Sequence, residues 1–445
     1  MPPTIKPALG LLLAITAAAS MWFYVDRILI GYQKADAAAQ DRPRGNLSDL
    51  YPRWLGAREL LLHRRNPYSD EITREIQKGY YGRELDANRP HDPRDREAFA
   101  YPLYVVFLLA PVVGIPFPLL QIFFSWLLLG LAVASVWLWL RALHWRPGLP
   151  RTAAIAILMA GSYPAVQGIK LQQLSLAVAA LVAGAAACVA GGCLFLAGGL
   201  LALATIKPQL AWPLAAWFLG WACGDWRTRR RLVYGFALMM IFLLGASEIL
   251  LPAWWRLFAD ALVRYHGYTQ NQSVLEVLLP GPYAGKIVNL TAVAVCGWRL
   301  WRFRRAPVES PQFAAATALV MALTVLVVPM LAPYNQVLLL PAILFTLRCR
   351  SRDAGQSRGI RFLWNAFLIA VVWPWLASVI LSGIYLLGFQ ALALSAWSWP
   401  FFSTFAIPVT VFALVLPLMF DEMGAETEDS SAKDRSGKRQ HKFFP

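Results

Sequence analysis

Few residues in this chain have the type and setting for chemistry, and they sit at the edges of long apolar runs. Asp49 comes first. It stands in Asn46-Leu-Ser-Asp-Leu-Tyr-Pro-Arg-Trp, inside a polar stretch over residues 32–100 that holds about half of all the acidic side chains. A carboxylate at a helix start beside a bilayer could accept a proton from a substrate hydroxyl. It could equally do no more than cap the helix, as could Ser48, with Pro52 tolerated in the first turn and Arg53 following on the same face. Lys207 lies in Ala-Thr-Ile-Lys-Pro-Gln-Leu between two apolar runs. A lysine there can snorkel to the interface or balance a lipid-linked phosphate, with Pro208 opening the backbone beside it. Lys170 and Gln172-Gln173 resemble that pattern, and glutamine amides suit sugar hydroxyls because they both donate and accept. His266 has no His or Cys at ligand spacing, and the five cysteines lie in or beside apolar segments. Neither a metal site nor a disulfide framework is indicated.

The elements that must position these residues are membrane helices. The chain is 58% hydrophobic and 15% charged over 445 residues, with 19 Trp, and apolar stretches of spanning length recur throughout. This is an all-α polytopic membrane protein. The net charge of +16 is gathered in short arginine-rich loops, 141–151, 225–231, 299–305 and 348–361, which places those loops in the cytoplasm rather than pointing to nucleic acid. Spans are expected near 8–30, 119–140, 152–169, 174–190, 193–206, 208–223, 232–251, 285–301, 312–331, 335–347, 362–386 and 397–420. That gives about twelve crossings of one domain over residues 1–420, with both termini cytoplasmic. Residues 32–118 form a large first outer loop, in which 101–118 lies at the interface or re-enters, since a crossing there would invert every later loop. Residues 421–445 read as a charged, disordered cytoplasmic tail. Under this topology Asp49, Gln172-Gln173, Lys207, Asn271-Gln272-Ser273 and Tyr334-Asn335 all fall on the outer side. Polar groups in a membrane are costly unless paired or functional.

In chain order the motifs are an acidic residue in the first outer loop, Ala57-Arg58, Asn66-Pro67-Tyr68 and Phe99-Ala-Tyr101-Pro102. Then come Gln173-Leu-Ser-Leu, Ile206-Lys207-Pro208, Asn271-Gln272-Ser273 and Pro329-x-x-x-Pro333-Tyr334-Asn335. From about residue 45 to 345 this order resembles glycosyltransferase family 87, integral-membrane mannosyltransferases of the GT-C superfamily that use polyprenyl-phosphate sugars. The chain departs from the family pattern at Arg53 and Trp54, where aromatic residues are usual, at Leu103, at Gln172 and in the charge between Asp70 and Glu97.

The resemblance implies a GT-C-type helical bundle with its active site on the outer face of a cell membrane, and Asp49 as the catalytic base. Lys207, with Arg58, would balance the donor phosphate. Gln173, Asn271 and Asn335 would orient sugar hydroxyls, with Tyr101, Gln272 and Tyr334 completing the substrate side. A hexose, mannose foremost, would pass from a polyprenyl-phosphate donor to a lipid-linked or surface glycan with inversion. One carboxylate suffices, because phosphate is already a stable leaving anion. No cofactor is expected; a divalent metal stays open, though the lack of an acidic pair near Asp49 argues against it. Partners are the donor, the acceptor and membrane lipids. Asp26, Asp36 and Glu248 are substitutes for the base. The competing reading, a secondary transporter or lipid-carrier flippase, would call for internal repeats and midplane polar groups, and a non-catalytic scaffold would leave the outer-face polar set without a purpose.

Overall fold

A computed structural model describes residues 5–43, 48–86, 88–269, 271–279, 281, 283–329, 332–350 and 357–419. Asn46 and the expected disordered tail at 421–445 lie outside the described residues. Every regular element is helical among those described. The protein is a polytopic, all-helical membrane protein. In chain order it opens with α1 (Ile5–Phe23), a π-helical turn at Tyr24–Leu29 and α2 (Ile30–Ala39). The loop region carries α3 (Tyr51–His63), α4 (Asp70–Tyr81) and the short α5 (Val105–Leu109). Next come α6 (Phe117–Ala142), α7 (Leu149–Ala160), α8 (Tyr163–Lys170), α9 (Leu174–Ala190), α10 (Leu194–Ala204), α11 (Pro208–Gly224) and α12 (Trp226–Leu250). The C-terminal part holds α13 (Trp254–Thr269), α14 (Val274–Leu278), α15 (Ala284–Arg302), α16 (Pro311–Val327), α17 (Leu340–Cys349) and α18 (Arg358–Leu386). It closes with α19 (Gln390–Ser395), α20 (Ser398–Ser403) and a helix over 406–419.

A helix stands at each of the twelve expected segments, but many are too short to be full crossings. Among the described residues five helices are long and apolar enough to cross, or six if the bent pair α7 and α8, with 49° between them, is one span. The shortfall has a physical cause. A helix rises about 1.5 Å per residue, so the 11 residues of α10 cover only about half of a ~30 Å hydrocarbon core. These helices end where the chain breaks, at Gln172-Gln173, Thr205–Lys207 and Val328-Pro329.

The core centres on α16. All its residues from Phe313 to Leu326 are buried, as a helix apolar on every face must be. The Phe313 ring stacks on Phe218 of α11, centroids 5.7 Å apart, and Trp217 Nε1 donates to Thr317 Oγ1 at 3.3 Å. α10 and α12 approach more closely than side chains allow. A Cβ on Gly198 would meet the backbone of Leu232 and Phe236, and one on Gly235 would meet the Phe195 carbonyl.

The bundle has two unlike ends. Phe117, which opens α6, packs on Tyr51 and Trp54 of α3, with centroids 4.8 and 5.2 Å apart. At the other end of that 26-residue helix the arginine-rich loops meet. A Cβ on Gly191 would touch the Arg141 guanidinium, Arg348 donates to the Leu143 carbonyl, and Arg229 donates to the carbonyls of Trp221 and Arg304 at 3.0 Å each. Arg348 thus meets the 141–151 loop, and Arg229 meets the 299–305 loop.

Candidate active site

The helix cap read from Ser48 and Asp49 does not form. Leu50 is the N-cap of α3 and no side chain closes it, although Pro52 does sit in the first turn. Arg53 turns back to the Asp49 carbonyl, with Nη1 to O 2.9 Å, rather than engaging the carboxylate along the helix face. The Asp49 amide meanwhile donates to the Leu171 carbonyl at 2.9 Å, tying the loop to the break before α9. The carboxylate is left to accept a hydrogen bond from Gln173 Nε2.

From there a polar chain runs into the bundle. Gln173 Oε1 accepts from Lys207 Nζ at 2.6 Å, Lys207 also donates to Ser175 Oγ at 2.8 Å, and Ser175 donates to Asn335 Oδ1 at 2.8 Å. Gln173, Ser175, Lys207 and Asn335 are all buried. Asp49 is half-buried. Lys207 Nζ lies 5.8 Å from the centre of the Tyr101 ring and 5.3 Å from that of Tyr334, within range of cation–π attraction. The Tyr101 backbone is held in turn by Tyr68, whose hydroxyl donates to its carbonyl at 2.7 Å. Tyr68 is thus a strut for Tyr101.

These groups open on one cavity of about 150 Å³. Asp49, Tyr101, Gln173, Lys207 and Tyr334 line it, and Asn335 stands one hydrogen bond behind Lys207's partner Ser175. Three expected residues are not brought there. Arg58 lies over the Trp54 ring at 5.4 Å and Gln272 is exposed, neither lining the cavity. Asn271 donates to Thr269 Oγ1 at 3.1 Å and also bonds Tyr265, which does line it. The substitute bases stand elsewhere. Asp26 pairs with Lys170 at 2.6 Å, Asp36 with Arg42, and Glu248 accepts from the Ala253 amide at 2.7 Å.

Three charged lining residues were not expected from the sequence as parts of a site: Arg53, Asp95 and Glu97. Arg53 is buried, with its guanidinium 4.6 Å from the centre of the Tyr101 ring. The segment carrying the two acids is pinned to α4. Tyr81 donates to the Asp95 carbonyl at 3.0 Å and Gln77 Nε2 to the Arg96 carbonyl at 3.2 Å. The available signals were the departure at Arg53 and the charge between Asp70 and Glu97. The premise that no acidic pair lies near Asp49 therefore fails, although among the described residues no three His, Cys, Asp or Glu side chains are grouped to hold a metal ion.

The electrostatics suit proton and anion handling. Burial pushes the Asp49 carboxyl above the ordinary aspartate range, while Arg53, Lys207 and the Gln173 hydrogen bond pull it back. Burial, with Arg53 nearby, lowers the Lys207 ammonium to about 7, against the pull of Asp49. A carboxylate poised nearer neutrality is a better base than an ordinary aspartate, and a buried cation in need of a counter-charge is an anion site.

A family model described as glycosyltransferase family 87 matches residues 99–329, more than half of the chain. Tyr101, Gln173 and Lys207 lie inside that stretch, whereas Asp49, Arg53 and Tyr334 lie outside it. Nothing among curated proteins or solved structures matches.

Proposed function

The chain belongs to glycosyltransferase family 87, and from that premise we propose that it moves a hexose, mannose foremost, from a polyprenyl-phosphate carrier to a lipid-linked or surface glycan on the outer face of the cell membrane. The observation that carries this reading is the continuous chain Asp49–Gln173–Lys207 at one cavity. It sets a candidate base and a buried cation at the two ends of a single amide, as an acceptor hydroxyl and a departing phosphate require. The fold read this way is of GT-C type, with the arginine-rich end in the cytoplasm.

The acceptor hydroxyl gives its proton to Asp49 as its oxygen bonds the anomeric carbon. The bond from that carbon to the phosphate oxygen breaks in the same displacement, and its electron pair leaves on the polyprenyl phosphate. Lys207 balances that charge where water is excluded. Gln173 holds the carboxylate with one end of its amide and the ammonium with the other, fixing both before substrate arrives. One displacement inverts the anomeric centre and needs no second carboxylate as nucleophile.

Purified protein supplied with radiolabelled polyprenyl-phosphate mannose or with a labelled nucleotide mannose, each with a panel of lipid acceptors, tests the donor class. Transfer from the lipid-linked sugar alone is expected. Transfer from the nucleotide sugar alone would overturn the reading.

A further inference from the structure

The cavity holds a second cation, and the way it is paired suggests what it waits for. Arg53 is 91% buried, being only 9% exposed, yet its Nε has no hydrogen-bond partner. Its ion-pair partner, Glu97, stays 4.0 Å away, beyond hydrogen-bond reach. A buried guanidinium with an unused N–H is costly, and its fork of donors matches the oxygens of a phosphate. Glu97 itself is held in place under constraint. It is a non-glycine residue with φ of 52°, its amide donates to Asp95 Oδ1 at 3.0 Å, and Tyr80 bonds its side chain. Backbone strain of this kind persists only where the surroundings impose it. Burial, together with Asp95 and Asp49, also raises the Glu97 carboxyl well above the usual carboxylate range, which makes it a weak counter-ion.

We propose that Arg53, which like Lys207 lies over the Tyr101 ring, is a second ligand for the phosphate of the lipid-linked donor, and that the phosphate takes the place of Glu97, a fixed carboxylate too far from the guanidinium to hydrogen-bond it, as its counter-ion. This rests on the donor class given above. It puts Arg53 in the role that the family resemblance implied for Arg58, and it gives a purpose to an arginine where the family usually has an aromatic residue. Lys207 spends two of its three N–H donors on Gln173 and Ser175, so a phosphate oxygen would draw on the third and on the Arg53 fork. Removing the arginine and removing the Glu97 carboxylate must then act in opposite directions.

The test is equilibrium binding of a sugar-free polyprenyl monophosphate, and of the uncharged polyprenol, to the full-length protein in detergent. Wild type is expected to prefer the phosphate. Arg53→Gln should weaken phosphate binding about tenfold or more, the loss of a buried charged hydrogen bond, with polyprenol binding unchanged. Arg53→Lys should recover only part of it, and Glu97→Gln should bind the phosphate more tightly than wild type. Unchanged phosphate affinity in Arg53→Gln would overturn the proposal, as would Glu97→Gln weakening binding like the arginine variant, which would make the pair a structural one. Should Arg53→Gln fail to fold, the milder Arg53→Lys and the sign of the Glu97→Gln change still decide it. A wild type indifferent to the phosphate would instead remove the donor class itself.

Discussion

At the residue scale, a lysine buried between Gln173, Ser175 and two tyrosine rings carries its charge at a cost, and that cost sets a pH dependence. With its ammonium lowered to about 7, Lys207 is increasingly neutral in the free protein above that pH and attracts a phosphate less. Donor kcat/KM should therefore fall as pH rises through about 7, whereas protonation of Asp49, raised by burial, should set the acid limb above the ordinary aspartate range. Arginine does not lose its proton in this range, so Lys207→Arg should abolish the alkaline limb while the acid limb stays. The same alkaline limb in both proteins would exclude Lys207 as its source. Gln173 and Lys207 stood out in the sequence because polar groups at the ends of apolar runs demand a reason, and Asp49 through its place in the polar stretch and the order of motifs around it. Glu97 and Asp95 were not, because a charged stretch reads as a solvated surface until Tyr80, Tyr81 and Gln77 fold it inward. The cap expected at Asp49 failed because Gln173, distant in sequence, competes for the carboxylate.

At the element scale the site depends on where broken helices stop. α10 must end where Thr205 accepts from the Tyr104 hydroxyl, at 3.0 Å to its carbonyl, so that Lys207 follows at the cavity. The reciprocal glycines Gly198 and Gly235 set how deeply α10 lies against α12, as small residues do between membrane helices. Gly235→Leu should force the pair apart and cost about 1–3 kcal/mol, the usual penalty of overpacking, seen as a lower thermal midpoint in detergent. A midpoint equal to wild type would show that the contact is not close-packed. Helix positions were readable from apolar runs, but helix lengths were not. The π-helical turn at Tyr24–Leu29 and the kink after Ala160 depend on packing between segments distant in sequence, for which local periodicity carries no signal.

At the scale of the whole molecule the two ends of the bundle differ in charge, and the topology we propose assigns the basic end to the cytoplasm. Cys193 is exposed and opens α10 beside Gly191, at the arginine-rich end. A membrane-impermeant maleimide applied to intact cells should leave Cys193 unmodified and modify it after permeabilisation. A cysteine placed at exposed His91, in the loop region at the other end, should react in intact cells. The reverse pattern would put the active site on the cytoplasmic face and remove outer-face transfer from the account. That topology rests on the arginine content of the loops, which is a property of sequence rather than of packing.

We propose that Asp49, held by Gln173, takes the proton of the acceptor hydroxyl. This step is tested most directly by sugar transfer from radiolabelled polyprenyl-phosphate mannose in wild type and Asp49→Asn, with donor binding measured alongside. Asparagine keeps the size and can still meet the Gln173 amide, but it is no base. Transfer should fall by about 10²–10⁴, the usual contribution of a positioned base, while the donor still binds. Transfer equal to wild type in Asp49→Asn would exclude Asp49 as the base and move the proton to another group.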